Sequence, residues 1–187
     1  MAMELTFRQL FEQLKRLKEM LDPLRCLLPD DPLNMEVALV QHLRESVETA
    51  SGWLEACLDQ SQAAQSNLGR SADLNRSRRA LTRCQASFDE MEHTFSGELL
   101  SYDKMREIAG LGARRRGIWL IWSQNVKRDL DVCRYELDLT RKALTACWQE
   151  LAEHAGTTNI SVQATNVGQQ ITASRSEVGE LETESVT

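Results

Sequence analysis

Residues 130–156, LDVCRYELDLTRKALTACWQELAEHAG, contain the repeat that decides the fold. Apolar or small side chains recur there at steps of three and four, which is the period of one face of an α-helix. The repeat extends back towards Arg114, so the pattern predicts one long amphipathic helix from about residue 114 to 154. Its apolar stripe comprises Trp119, Trp122, Val126, Leu130, Cys133, Leu137, Thr140, Leu144, Cys147 and Leu151.

A second amphipathic helix is predicted near the N-terminus. Thr6 and Gln9 have the spacing of a capping box, so this helix should begin at Thr6 and end before Pro29. Pro23 lies within the repeat and should kink or break the helix, because proline lacks the N–H that a helix interior uses. The apolar stripe comprises Phe7, Leu10, Phe11, Leu14, Leu17, Leu21, Leu24 and Leu28.

Two more amphipathic segments lie between these helices. Asp31 followed by Pro32 is a start signal, and the helix that it opens should fade into a loop or a frayed end at DQSQAAQSNLGRS, residues 59–71. The next helix should cover about residues 72–95, with a heptad-like spacing that Ser77 weakens. A short helix near residues 98–108 and a glycine-rich hinge should follow it.

Four long amphipathic helices with short links predict an all-α protein, an up-down four-helix bundle over residues 1–155. The 187 residues are enough for one domain with a sizeable core. The net charge of −6 argues against nucleic acid as a partner. The start of the chain lacks the features of a signal peptide, and no apolar run is long enough to span a membrane.

The residues that carry chemistry are sparse and scattered. Five cysteines without CxxC spacing are typical of reduced thiols on buried helix faces in the cytoplasm. None of the three histidines has a second ligand at helical spacing, so we expect no metal site and no cofactor. No phosphate-binding loop and no nucleophile with a well-placed histidine occurs, so we expect no enzymatic activity.

The C-terminal part has a different character. Residues 157–174, TTNISVQATNVGQQITAS, contain no charged residue. Apolar and polar residues alternate in two phases that meet at Thr165 and Asn166, which predicts two short strands with a kink or a turn between them. A β-branched, amide-rich segment without proline can stack in register with copies of itself. The alternative is a disordered tail, and residues 175–187 should form an acidic, disordered end.

Two segments have the composition of a membrane surface. The first helix has phenylalanines on one face and Arg and Lys on the other, which suits either a bundle or a membrane interface. Residues 113–122, ARRRGIWLIW, suit a patch for anionic headgroups with tryptophan at the interface. The alternative is a solvated helix start with two core tryptophans. The candidate membrane-binding residues are Phe7, Leu10, Phe11, Leu14, Arg114, Arg115, Arg116 and Trp119.

The long predicted helix is followed directly by the uncharged segment, and this order is known from one class of proteins. The helical run 130–156 followed by TTNISVQATNVGQQI, residues 157–171, resembles the end of bacterial Bell-domain proteins with their C-terminal amyloid signalling motif. The Bell domain is a helical bundle regarded as similar to the fungal HeLo domain and to the N-terminal bundle of mixed-lineage kinase-like protein. The resemblance covers about residues 113–173 and implies an amyloid signalling motif within residues 156–174.

The resemblance implies an effector of regulated cell death. A receptor of the NLR-like kind with a similar motif would template the segment into an amyloid fold, as a homo-oligomer. The clustered bundles would then move from the cytoplasm to the inner membrane and permeabilise it. The alternative is a non-lytic helical adaptor with a disordered tail. The templated residues would be Asn159, Ile160, Val162, Gln163, Ala164, Asn166, Val167, Gly168, Gln169, Gln170 and Ile171.

Overall fold

The protein is all-α, as predicted. A computed structural model describes residues 2–27, 37–68, 74–99 and 101–183, and no strand occurs within these ranges. The chain divides into two compact units, Met1–Cys147 and Trp148–Thr187. The helices are α1 (Ala2–Leu27), α2 (Val37–Leu68), α3 (Leu74–Thr94), α4 (Tyr102–Arg115) and α5 (Ile118–Thr183), and a π-helical turn (Phe95–Leu99) follows α3.

The long helices α1, α2, α3 and α5 form the predicted four-helix bundle. The Cys147 thiol lies 3.6 Å from the carbonyl oxygen of Thr6, near the start of α1. The Cys133 thiol lies 3.5 Å from the carbonyl oxygen of Met20, further along α1. The residue later in α1 therefore contacts the residue earlier in α5, so these two helices are antiparallel.

Helices α2 and α3 are antiparallel by the same criterion. Cys57 and Cys84 each donate a thiol hydrogen bond to the carbonyl of the other, at 3.5 Å. Ser77 Oγ donates to the carbonyl of Ala64 at 2.9 Å, about two helical turns further along α2 than Cys57. The hydrogen bond with Cys84, together with burial, raises the pKa of the Cys57 thiol, which therefore stays protonated.

The core is built from the predicted apolar stripes. In α5, every stripe residue from Val126 to Leu151 is buried. In α1, Phe11 is half-buried, whereas the other stripe residues up to Leu24 are almost fully buried. The side chains that fill most of the remaining core in α2, α3 and the π-helical turn are Val40, Leu43, Val47, Leu54, Cys57, Leu81, Cys84, Phe88, Met91, Phe95 and Leu99.

The predicted start of α1 is wrong, and of the kink or break predicted at Pro23 the break does not occur. The helix begins at Ala2, and Thr6 Oγ1 donates to the Ala2 carbonyl at 3.1 Å instead of capping the helix. The helix also continues through Pro23 to Leu27. Leu21 and Leu24 are both buried on either side of Pro23, so core packing outweighs the lost hydrogen bond. The Asp31–Pro32 signal lies outside the described residues.

The loop predicted at residues 59–68 is helical and belongs to α2. Its inward positions are small, and Ser61 and Ala64 are both fully buried. Ser77 on α3 is equally buried and bonds to this segment, so it stabilises the α2–α3 contact instead of weakening it. Small side chains let two backbones approach closely without an apolar signal in the sequence.

The two strands predicted within residues 157–174 do not form in the single chain, because α5 continues to Thr183. A short strand pair without further partners is marginal in water, and a helix satisfies every backbone group within one segment. The side chains of the predicted motif, Asn159 to Ile171, lie outside the described residues.

Candidate functional site

A sharp corner joins α4 to α5. Arg116 and Gly117 both have left-handed backbone geometry, with φ of 52° and 57°. The Arg116 N–H donates to the Gly112 carbonyl at 3.1 Å, which ends α4, and the Leu120 N–H donates to the Gly117 carbonyl at 3.1 Å, which begins α5. The break therefore lies at two residues that the sequence placed inside a helix, and α5 begins at Ile118 instead of Arg114.

The two helices approach each other closely beside this corner. Gly112 and Ser123 are both buried, and a Cβ added to Gly112 would overlap Ser123 Oγ and lie 3.0 Å from Ser123 Cβ. Ser123 Oγ donates to the Leu120 carbonyl at 2.9 Å. Of the glycines in the predicted hinge, Gly110 and Gly112 lie within α4, where Gly112 serves this close helix contact, and Gly117 lies at the corner.

Large apolar side chains project from the corner into solvent. Ile118 is 80% exposed, Ile121 is 61% exposed and Leu120 is 40% exposed. Between them, Trp119 is half-buried and meets Trp122 edge-to-face, with ring centroids 5.6 Å apart. These three aliphatic residues lie within four consecutive positions. We refer to residues 114–121 as the basic corner.

The charge of this region has one sign. Between Glu107 and Asp129 the chain has no acidic residue, whereas it carries Arg114, Arg115, Arg116, Lys127 and Arg128. Arg128 is paired with Asp129, its Nε lying 3.0 Å from the carboxylate Oδ1. Arg114 and Arg116 are exposed, and neither is paired with a carboxylate in the part of the chain that the structure describes. Arg114 Nε donates to the Gly110 carbonyl at 3.2 Å. The side chain of Arg115 lies outside the described residues.

The structure thus brings together part of the predicted site. Arg114, Arg116 and Trp119 lie at one corner, together with Ile118, Leu120 and Ile121, which the sequence analysis did not select. The helical period could have indicated that the isoleucines are exposed, because Trp119 and Trp122 continue the phase of the buried stripe. Ile118 and Ile121 each precede a stripe position by one residue and therefore fall outside it.

The predicted residues of the first helix occupy a different place. Phe7, Leu10 and Leu14 are fully buried in the bundle, whereas Phe11 is half-buried beneath the Lys15 ammonium, 5.8 Å from the ring centroid. The start of α1 contacts α5 near Cys147, which lies about 45 Å from Ile118 at 1.5 Å per residue. The two candidate membrane segments are therefore at opposite ends of the bundle.

The start of α1 also borders a cavity of about 850 Å³ between α1 and α2. Leu5, which is 57% exposed, lies at this cavity. The other lining residues mix apolar, amide and charged groups, and they are Ala2, Glu4, Arg8, Phe11, Gln62, Gln65 and Ser66. This composition offers both apolar and polar contact area.

Other classes of site find no support in the described residues. No helix there is both long and apolar enough to cross a bilayer. No three side chains of His, Cys, Asp or Glu are grouped there as a metal ion would require. Comparison of the chain with models of protein families, with curated proteins and with solved structures gives no match. The basic corner is therefore the candidate site.

Proposed function

We propose that this protein is an effector of regulated cell death that is brought to a membrane when its C-terminal segment assembles. The proposal takes its outline from the resemblance of residues 113–173 to Bell-domain proteins with an amyloid signalling motif. One observation carries it further: the predicted motif, residues 159–171, belongs entirely to the unit Trp148–Thr187. A segment outside the compact bundle can change its conformation and partners without unfolding the core.

Assembly begins in this proposal when an NLR-like receptor with a similar motif presents a strand template. Residues 159–171 then exchange helical hydrogen bonds within the chain for ladder hydrogen bonds between chains. The amide side chains of the segment can form ladders along such a stack, and the segment has no charge that would repel the next copy. Each added chain extends the template, so the signal is amplified.

Clustering then converts weak membrane contacts into strong ones. Linked copies bind with a high effective concentration, so the combined affinity exceeds that of one bundle by a large factor. The basic corner supports this step, because it exposes apolar and cationic side chains in the folded bundle. Permeabilisation of the membrane follows from the gathered bundles.

The test compares two proline substitutions in the full chain. Val162→Pro lies in the motif and should abolish both thioflavin-positive assembly and killing, because proline cannot join a central ladder. Ser176→Pro interrupts α5 beyond the motif and should leave both intact. Viability of cells that express each variant gives the functional readout, and a synthetic peptide of residues 155–175 should form cross-β fibrils.

If both proline variants lose assembly and killing equally, the two activities depend on the helix and not on the motif. A further variant, in which an unrelated oligomerising domain replaces residues 156–187, should kill without any receptor. If this variant assembles but cells survive, clustering of the bundle is not the active step.

The cavity between α1 and α2 favours a second candidate, a non-lytic adaptor that binds a partner at Leu5 and Phe11. Vesicle leakage separates the two candidates. The effector should release a trapped dye after assembly, whereas an adaptor should assemble without leakage.

A further inference from the structure

We propose that the basic corner docks the bundle onto membranes that contain anionic phospholipids. Ile118 and Ile121 enter the boundary of the acyl chains, and Arg114 and Arg116 bind lipid phosphates. This inference rests on the proposed function for its setting, but the docking surface belongs to the folded bundle and does not need the C-terminal segment.

The exposure of the aliphatic side chains is the first support. Isolated exposed apolar residues are common on soluble proteins and need no explanation. Here Ile118, Leu120 and Ile121 are all exposed within a single helical turn, at a position where the chain changes direction. An exposed apolar corner can enter a bilayer interface, whereas a groove would be needed to hold a partner helix.

Charge complementarity identifies the occupant. The segment from Ile108 to Lys127 has four basic and no acidic residues, within a chain whose net charge is −6. An anionic bilayer attracts such a patch, and arginine pairs with phosphate oxygens in a fork geometry. Nucleic acid would also attract the arginines, but three neighbouring exposed aliphatic side chains suit the acyl-chain boundary of a bilayer better than a phosphate backbone.

The corner is also fixed in shape. The contact between Gly112 and Ser123 holds α4 against α5, and the edge-to-face pair Trp119–Trp122 supports the base of the exposed turn. Anchors that are ordered before binding lose less conformational freedom when they bind. The corner therefore combines apolar anchors, phosphate-binding groups and a preformed geometry.

The first experiment measures co-sedimentation of the full chain with vesicles. The vesicles contain either phosphatidylcholine alone or equal parts of phosphatidylcholine and phosphatidylglycerol. The wild-type chain should bind the anionic vesicles, and binding should weaken as salt rises. Arg114→Glu with Arg116→Glu should lower the affinity at least about tenfold. Arg78→Glu with Arg79→Glu, an equal charge change at exposed positions of α3, should lower it much less.

The second experiment separates apolar insertion from charge. Ile118→Asp with Ile121→Asp should lower the affinity at least about tenfold and abolish quenching of corner tryptophans by brominated lipid. Val132→Asp with Tyr135→Asp is the matched control, because both residues are exposed on α5 outside the corner. All these positions are exposed, so thermal unfolding should stay close to that of the wild type.

The outcomes are decisive in either direction. A wild-type chain that remains in the supernatant with both vesicle types overturns the docking proposal, as does an equal loss in corner and control variants. Binding to nucleic acid or to an acidic protein with none to vesicles assigns the corner to another partner. Because Val162→Pro leaves the corner intact, it should leave vesicle binding by the single chain unchanged. Failure of the docking surface and failure of the assembly step are thus distinguishable.

Discussion

Replacement of Gly112 by alanine tests the close contact between α4 and α5. In an ordinary helix position this change stabilises a protein by about 1 kcal/mol, because alanine has the higher helix propensity. At Gly112 the added methyl group would overlap Ser123 Oγ and lie 3.0 Å from Ser123 Cβ. The serine must rotate, and the helices must also separate by a few tenths of an ångström.

The expected balance is unfavourable. Overpacking of a buried contact costs about 1–3 kcal/mol. Rotation of Ser123 also breaks its hydrogen bond to the Leu120 carbonyl, which costs about 1 kcal/mol at a buried position. After the gain in propensity, Gly112→Ala should lower the free energy of unfolding by about 1–3 kcal/mol. Gly110→Ala is the matched control in α4, because its nearest neighbour is Arg114 Nη2 at 3.8 Å.

Urea unfolding followed by tryptophan fluorescence measures both variants, because Trp119 and Trp122 report on the corner. Gly110→Ala should raise the free energy of unfolding by up to about 1 kcal/mol, opposite in sign to Gly112→Ala. Combining Gly112→Ala with Ser123→Gly should recover about 1–2 kcal/mol as a coupling energy. If Gly112→Ala stabilises the protein as Gly110→Ala does, the helices do not approach as described, and the corner loses its fixed geometry.

The remaining predictions concern the core. Phe7→Ala should lower the free energy of unfolding by about 3–5 kcal/mol, and Phe11→Ala by less than half as much, because only Phe7 is fully buried. Thermal and urea unfolding measure both variants, and an equal loss of stability in the two would contradict this. Burial, aided by Asp129 and Glu136, raises the pKa of the Cys133 thiol to about 12. The unfolded thiol loses its proton near pH 8.5, so this contribution to stability is complete below that pH and is lost as pH rises towards about 12, by about 1.4 kcal/mol per unit. Urea unfolding of Cys133→Ala should show a shallower decline, and an unchanged slope would mean that Cys133 ionises equally in both states.

The sequence predicted the parts of the fold that depend on large apolar side chains. The α5 stripe from Val126 to Leu151 is buried as expected, because a helix of fixed period can bury only one face. The end of α2, by contrast, was not predicted as helix, because its buried residues are small. Ser61 and Ala64 contribute to the interface through their small size, and hydrophobic periodicity has no signal for a close approach.

The candidate site was only partly predictable for a related reason. The arginines and Trp119 were selected on composition, but the same apolar residue types occur in the core and at exposed corners. Burial depends on where α5 begins, and that depends on the left-handed geometry of Arg116, which no propensity indicates. Residues 157–174 are helical in the single chain, although their apolar and polar residues alternate with the period of a strand.

Under the proposed function, the burial of α1 has a consequence for the order of events at a membrane. Phe7, Leu10, Leu14, Leu17, Leu21 and Leu24 are at most 1% exposed. Withdrawing them from the bundle would cost about 1.5–3 kcal/mol each, or roughly 9–18 kcal/mol in all. This is comparable to the whole stability of a typical domain, about 5–15 kcal/mol. The basic corner needs no such rearrangement, so we infer that docking through the corner comes first. Release of the first helix would require the gain from many clustered copies at the bilayer surface.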